Sequence, residues 1–264
     1  MNHWSGLLLG AALVLYAAGV FVSISALLLR RRDWVFLIPV FTIIGFVIHF
    51  AGIVARGVEA GRMPLTNLRE TLFLLAWVTI SFYLLAHLKL RLEVLGVVIL
   101  PLVVALMLVT LLVPEGIEKV PEGFRGSVRL IHIIPAVLGV AALFLTFASS
   151  LIYLVQERAI KTHRLLKTSL ALPSLERCER LAHQSLTWGF GLLTFVVISG
   201  VISAGGRPGQ EWQLVWHEKW ALVAWLIFAA VMYDRIFSGG WRGRKAAYWS
   251  IVGFGAMILR MIGA

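Results

Sequence analysis

Cysteine and charge are both scarce in this sequence of 264 residues. Its single cysteine, Cys178, allows neither an internal disulfide nor a paired-cysteine thiol relay. Only 14% of the residues are charged, whereas 60% are hydrophobic and the mean hydropathy is +0.90. A soluble domain of this length cannot bury so much apolar surface. The composition therefore predicts a protein that resides in a membrane.

The sequence motifs of common enzyme classes are also missing. There is no glycine-rich phosphate loop, no nucleophile elbow and no HExxH or paired-cysteine metal site. The two halves show no convincing repeat, which weakens a secondary-transporter interpretation. The net charge of +11 does not indicate nucleic-acid binding, because the basic residues stand in short clusters between apolar runs, where topology signals are expected. We expect an assembly or binding protein rather than an enzyme.

Eight apolar runs are long enough to cross about 30 Å of hydrocarbon as helices. The first run is too long for a signal-peptide core and lacks a small-residue cleavage site, so it is interpreted as a true span. The predicted fold is an all-α polytopic membrane bundle of eight transmembrane helices, forming a single domain over residues 1–264. The runs are approximately Trp4–Leu29, Trp34–Arg56, Leu68–Leu88, Leu92–Val113, Val128–Val155, Ser185–Ala204, Lys219–Phe237 and Ala247–Gly263.

The distribution of lysine and arginine predicts the orientation. One set of alternate loops holds 15 of these residues and the opposite set holds 9. The positive-inside rule places the richer set in the cytoplasm and both termini outside. The long connection Glu157–Arg180 is then cytoplasmic, and its mixed charges around Pro173 favour a short amphipathic helix at the membrane surface.

The segment EWQLVWHEKWALVAW, residues 211–225, places four tryptophans beside a histidine, two glutamates and a lysine. Tryptophan favours the membrane interface, so an aromatic belt is one interpretation. If the segment is helical, Trp212, Trp216 and Trp220 share one face. An aromatic shelf with His217 at its edge would suit a large planar cofactor such as haem, which stacks on indole and is ligated by histidine. Spacing alone leaves both interpretations open.

Several stretches, taken in order, resemble the cytochrome c assembly family that includes CcsA, CcmC and HemX. They are ARGVEAGRMPLTNLRETLFLLAW, LIHIIPAVLGVAALFLTFASSLIYLVQER, LPSLERCERLAHQSLTWGFGLLTFVVISG, WALVAWLIFAAVMYDR and GWRGRKAAYWSIVGFG. The likeness covers nearly the whole chain, and it is greatest to the small family members that lie in the bacterial inner membrane. It implies a multi-pass inner-membrane protein with external termini, whose partners are lipids, haem and other cytochrome c assembly proteins.

The resemblance also implies a haem-holding role for the tryptophan-rich segment on the outer face. Trp220 and Trp225 correspond to the tryptophan pair that follows the family's tryptophan–aspartate signature, and Glu218 corresponds to its acid. The core of that signature is replaced here by QLVWHE, a departure that also allows a member without haem. The residues expected to bind the cofactor are His132, His49, His217, Trp212, Trp216, Trp220, Glu218 and Arg56.

Histidines are the expected iron ligands. His132 falls on the first external ligand position of the family, whereas the second position lies beyond the last helix of longer members, where this sequence has ended. Tyr233 stands where those members carry a histidine inside the seventh helix. His49 is expected to reach the level of His132 and to share its site, and His217 is an alternative outer ligand. Hydrogen bonding between helices is the competing explanation for each imidazole.

Two arginines are further candidates for the site, and two functions other than haem handling are also possible interpretations of the sequence. Arg56 and Arg62 bracket a glycine-containing turn near the predicted outer surface, where they can meet haem propionates or simply extend to the interface. A membrane scaffold or regulator that has lost haem, and a small-molecule transporter, are the alternatives to a haem-handling protein.

Overall fold

The computed structural model describes residues 3–29, 32–65, 67–90, 94–113, 127–162, 173–205, 216–238 and 243–262. Within these ranges the protein is all helical, which confirms the predicted fold class. A short 3-10 turn, Arg32–Trp34, follows the first helix, and a π-helical stretch, Asp234–Ser238, extends the seventh. The eight long helices are α1 (His3–Leu29), α2 (Leu37–Ala60), α3 (Leu68–Leu90), α4 (Val94–Leu112), α5 (Ser127–Lys161), α6 (Leu175–Gly205), α7 (Trp216–Tyr233) and α8 (Arg244–Ile262).

Seven of these helices are both long enough and apolar enough to cross a membrane. The eighth, α8, has 19 residues, but Arg244 and Lys245 at its start and Arg260 near its end lower its hydropathy. The chain is therefore a multi-pass membrane protein. The side of the membrane on which each terminus lies remains a prediction.

The helices form two compact units. The N-terminal unit comprises Met1–Lys119 with His163–Pro173 and contains α1 to α4, and the C-terminal unit comprises Val120–Thr162 with Ser174–Ala264 and contains α5 to α8. In the first unit α1 packs most extensively on α2, and in the second α5 packs most extensively on α6. The expectation of one domain over the whole chain stays a prediction, and each unit is described separately below.

Glycines allow α5 and α6 to approach closely. A Cβ atom added to Gly189 would lie 2.9 Å from Leu143 Cγ and 3.2 Å from the carbonyl oxygen of Gly139. A Cβ added to Gly139 would in turn lie 3.1 Å from Leu192 Cβ. Small residues at such a crossing bring helix backbones together and increase van der Waals contact, which is a main source of helix association in lipid. The backbones of α5 and α6 are therefore close together at Gly139 and Gly189.

Polar residues extend two of the helices beyond the predicted spans. Glu157 to Lys161 belong to the end of α5, and Leu175 to Arg180 form the first turns of α6. The two described ends of the segment Glu157–Arg180 therefore belong to α5 and α6, and the short amphipathic surface helix expected within the segment stays a prediction. Residues 163–172, the middle of that segment, lie outside the described residues.

Candidate functional site

His132 lies near the start of α5 and contacts the end of α6. Its Nδ1 is 2.8 Å from the hydroxyl oxygen of Ser199, and this hydroxyl also donates to the carbonyl of Val196 at 3.0 Å. A serine hydroxyl has one hydrogen. If that hydrogen is directed to Val196, the His132 Nδ1–H donates to Ser199 and the lone pair of the ring lies on Nε2. The contact with Ser199 orients a half-buried imidazole, as the outer contacts of metal-binding histidines do.

Tryptophan Trp225 of α7 is attached to the same half of α6. Its indole Nε1–H donates to Thr194 Oγ1 at 2.9 Å, and its ring stacks on Phe190 with centroids 6.0 Å apart. Thr194 and Ser199 are five residues apart, a rise of about 7.5 Å along a helix. The C-terminal half of α6 therefore contacts both His132 and Trp225, through positions that lie about 140° apart around the helix axis.

The tryptophan-rich segment is described only in part. Trp216 begins α7 and Trp220 follows one turn later, so the expected four-residue spacing on one helix is present for these two. Trp220 is half-buried. Trp212 lies outside the described residues, and so do the side chains of Trp216, His217 and Glu218. The expected aromatic roof above His132 stays a prediction.

His49 is located in the middle of α2, with its side chain completely buried in the structure. Its Nδ1 lies 3.4 Å from the hydroxyl of Tyr16 on α1, and the ring meets Phe73 of α3 edge-on with centroids 6.2 Å apart. Its Nε2 is buried and makes no hydrogen bond within the described residues. The backbone of Phe73 lies close to the ring. The sequence analysis did not anticipate Tyr16, whose ring fills a slot beside Gly45: a Cβ added there would lie 2.8 Å from Tyr16 Cε1.

The shared site of His49 and His132 is not established by these contacts. His49 belongs to the N-terminal unit and His132 to the C-terminal unit, and the two units are described separately. Moreover, His49 lies at the middle of α2, because this helix begins and ends later than the predicted span Trp34–Arg56. Iron ligation by both histidines stays a prediction.

Arg56 and Arg62 converge on a residue that sequence analysis missed. The carboxylate of Glu70, 4% exposed, accepts from Arg62 Nη1 at 3.1 Å and Nη2 at 3.3 Å, and from Arg56 Nε at 3.4 Å. The Glu70 backbone N–H donates to Asn67 Oδ1 at 2.8 Å, so Asn67 caps the start of α3. The spacing of Asn67 and Glu70 is that of a capping box, which is the signal that could have identified this carboxylate.

The turn that brings Arg62 back to Arg56 depends on Gly61. This residue ends α2 with φ +61°, a left-handed conformation that favours glycine. The N–H of Gly61 donates to Val58 O and that of Arg62 to Gly57 O, both at 3.2 Å. The reversal places both arginines over the start of α3.

No three histidine, cysteine, aspartate or glutamate side chains gather into a metal site within the described ranges. In the C-terminal unit the described candidate groups are the His132 imidazole and the Trp225 indole ring, and in the N-terminal unit they are the His49 imidazole and the arginines paired with Glu70.

Comparison with known proteins identifies the family of the chain. A family model described as cytochrome C assembly protein matches residues 65–264. The cytochrome c biogenesis protein CcsA of Guillardia theta is 27% identical over 220 residues, covering 75% of this chain and 72% of that protein. CcsA of Microcystis aeruginosa is 27% identical over 248 residues, covering 76% and 75%.

A solved structure, the cytochrome c haem lyase CcmF, superposes with a TM-score of 0.73 at 15% sequence identity. The match covers 98% of this chain but 46% of that protein, so this chain spans just under half the length of CcmF. At this identity the likeness concerns the fold. With the family match over residues 65–264, these comparisons show that the chain belongs to the cytochrome c assembly protein family.

Proposed function

We propose that this chain is a haem-handling membrane protein of cytochrome c biogenesis, an assembly factor rather than an enzyme, and that haem is held at the His132 end of the C-terminal unit. The observation that carries the proposal is the oriented imidazole: His132 Nδ1 lies 2.8 Å from Ser199 Oγ, and we assign the Nδ1–H as the donor, which places the lone pair of the ring on Nε2. An imidazole fixed in this tautomer is prepared to ligate iron.

The tryptophans give the same end its apolar surface. Trp225 is fixed by Thr194 and Phe190, and Trp220 lies half-buried more than one turn before it on α7. With Trp216 and Trp212 they would provide flat contacts for a macrocycle, while His217 and Glu218 would stand at the rim. Stacking on indole excludes water without the directional demands of buried hydrogen bonds, and this suits a ligand that must later leave.

Haem would supply two kinds of group to the protein. Its iron would accept a histidine nitrogen, and its two carboxylates would require cationic partners. In the proposed site His132 is the iron ligand from the C-terminal unit. The expectations for His49 as a second ligand and for Arg56 as the partner of a carboxylate concern the N-terminal unit and stay predictions. Because the His49 ring is enclosed by Tyr16 and Phe73, ligation by His49 would require this packing to open.

Haem content tests the function. The protein purified from haem-replete cells should carry haem and show a Soret band, whereas Trp216→Ala should retain less haem with an unchanged band position, because a stacking surface is lost and not a ligand. Trp188→Ala is the matched control, since Trp188 is an exposed tryptophan of α6 (75%) outside the proposed site. Colourless wild-type protein would favour a scaffold that has lost haem, or a transporter.

We also propose that the protein lies in the bacterial inner membrane with both termini outside. The uneven distribution of lysine and arginine between alternate loops supports this orientation. A reporter that is active only in the cytoplasm, fused after Ala264, should be inactive, and a reporter inserted in residues 163–172 should be active. The opposite pattern would reverse the topology and place the His132 end of α5 in the cytoplasm.

A further inference from the structure

The charge cluster at the end of α2 holds its two arginines unequally. Both terminal nitrogens of Arg62 donate hydrogen bonds to the Glu70 carboxylate, at 3.1 and 3.3 Å. Arg62 also donates to the Met63 carbonyl at 3.4 Å. Arg56 contacts the carboxylate only through Nε, at 3.4 Å. Arg62 therefore donates to both oxygens of the Glu70 carboxylate, whereas Arg56 donates to it through Nε alone.

Arg56 therefore retains hydrogen-bond donors. A guanidinium carries five N–H groups, and the bond from Nε to Glu70 is the one hydrogen bond that Arg56 makes within the described residues. The side chain is 24% exposed, compared with 42% for Arg62. Its stem is packed, while the two terminal amino groups remain in a planar fork of the geometry that carboxylate and phosphate oxygens accept.

The neighbouring charged side chains have partners of their own. Arg62 and Glu70 neutralise each other, and Glu59 is engaged by Ser5, whose N–H and hydroxyl donate to its carboxylate at 3.1 and 2.6 Å. Arg69, on the first turn of α3, adds a further cation, 6.0 Å from the centre of the Phe73 ring.

We infer that this cluster is an oxyanion-binding site, in which Arg56 binds a carboxylate or phosphate through its terminal amino groups while Glu70 and Arg62 act as positioning residues. A guanidinium already fixed at Nε loses little side-chain freedom when a ligand arrives, so more of the binding energy is retained. The two sources of such a group at a membrane surface are a haem carboxylate and a lipid headgroup phosphate. Only the haem source rests on the proposed function.

Arginine labelling measures this binding directly. The full chain in phosphatidylcholine nanodiscs is treated with phenylglyoxal, and labelling at each arginine is followed by peptide mass spectrometry. The probes are haem, haem dimethyl ester, inorganic phosphate, and nanodiscs that contain phosphatidylglycerol. Arg180 is the internal control, because it is also paired with a glutamate, Glu176, but on an exposed face of α6.

At least one anionic probe should slow labelling of Arg56 by about fivefold or more while Arg180 changes by less than about twofold, as expected for a charge-assisted hydrogen bond. Protection by haem and not by its ester identifies a carboxylate ligand. Protection by phosphatidylglycerol identifies a lipid phosphate, and protection by inorganic phosphate alone identifies a soluble anion. Absence of protection at Arg56, or equal protection at Arg180, overturns the site.

The positioning role has its own readout. Glu70→Gln should lose most of the protection of Arg56, and Arg62→Gln serves the same purpose should the first variant not fold. Unchanged protection in either variant removes that residue from the site. Haem content separates this inference from the proposed function: haem bound in a protein whose Arg56 is protected by no anionic probe refutes the inference alone, and protection by phosphate or lipid in a protein that binds no haem refutes the function alone.

Discussion

Replacing His132 with alanine is expected to remove most of the Soret absorbance from haem-loaded protein. The change deletes the imidazole that Ser199 orients at 2.8 Å. Loss of an outer contact to a metal-binding histidine typically weakens metal binding by about 10- to 100-fold, so loss of the ligand itself should weaken it by about 100-fold or more. Absorption spectroscopy and haem quantification at matched protein concentration provide the measurement.

Two further variants make the result specific. Ser199→Ala keeps the imidazole but removes the acceptor of its Nδ1–H, so haem should be retained with affinity reduced by about tenfold. His183→Ala, near the opposite end of α6, should leave the spectrum unchanged. A His132→Ala protein with the wild-type spectrum and haem content would show that His132 is not a required ligand.

Replacing Glu70 with alanine is expected to give the largest loss of stability among the charged positions. The change leaves two guanidinium groups beside each other without their shared carboxylate, and it removes an anion from the first turn of α3. Breaking a buried ion pair typically costs 3–5 kcal/mol, and because both arginines reach solvent we expect about 2 kcal/mol here. Thermal unfolding in detergent should show a midpoint lower by several degrees.

The matched control is Glu176→Ala. This residue also pairs with an arginine, Arg180, but its side chain is 78% exposed. An exposed pair four residues apart on a helix contributes about 0.5 kcal/mol or less. Equal midpoints for the two variants would mean that the Glu70 cluster adds no more to stability than a surface ion pair.

The helices were predictable because exposing backbone and polar groups to lipid is costly. A helix that spans a membrane must therefore be apolar, which hydropathy over a membrane-length window detects. The ends of the helices were not predictable. α6 begins at Leu175 rather than Ser185 because its first turns are polar and continue beyond the apolar run. Their partners explain the extension: Glu179 accepts from Arg235 Nη2 at 2.9 Å and from the Gly243 N–H at 3.1 Å.

Site residues were predictable by type but not by partner. Histidine inside a span already indicates a costly group, so His49 and His132 were identifiable. Tyr16 and Ser199 were not, because their importance lies in contacts 33 and 67 residues away in sequence. Arg56 was expected to face a ligand, and its bond to Glu70 depends on a turn that sequence spacing alone does not specify.

An experimental structure of the haem-loaded protein tests the central claim most directly. The measured quantity is the distance from iron to His132 Nε2. The proposed function predicts that this nitrogen coordinates the iron, with the Ser199 contact to Nδ1 retained and Trp216 and Trp220 against the macrocycle. Iron bound by other residues, with His132 still held by Ser199 outside coordination distance, would contradict the account.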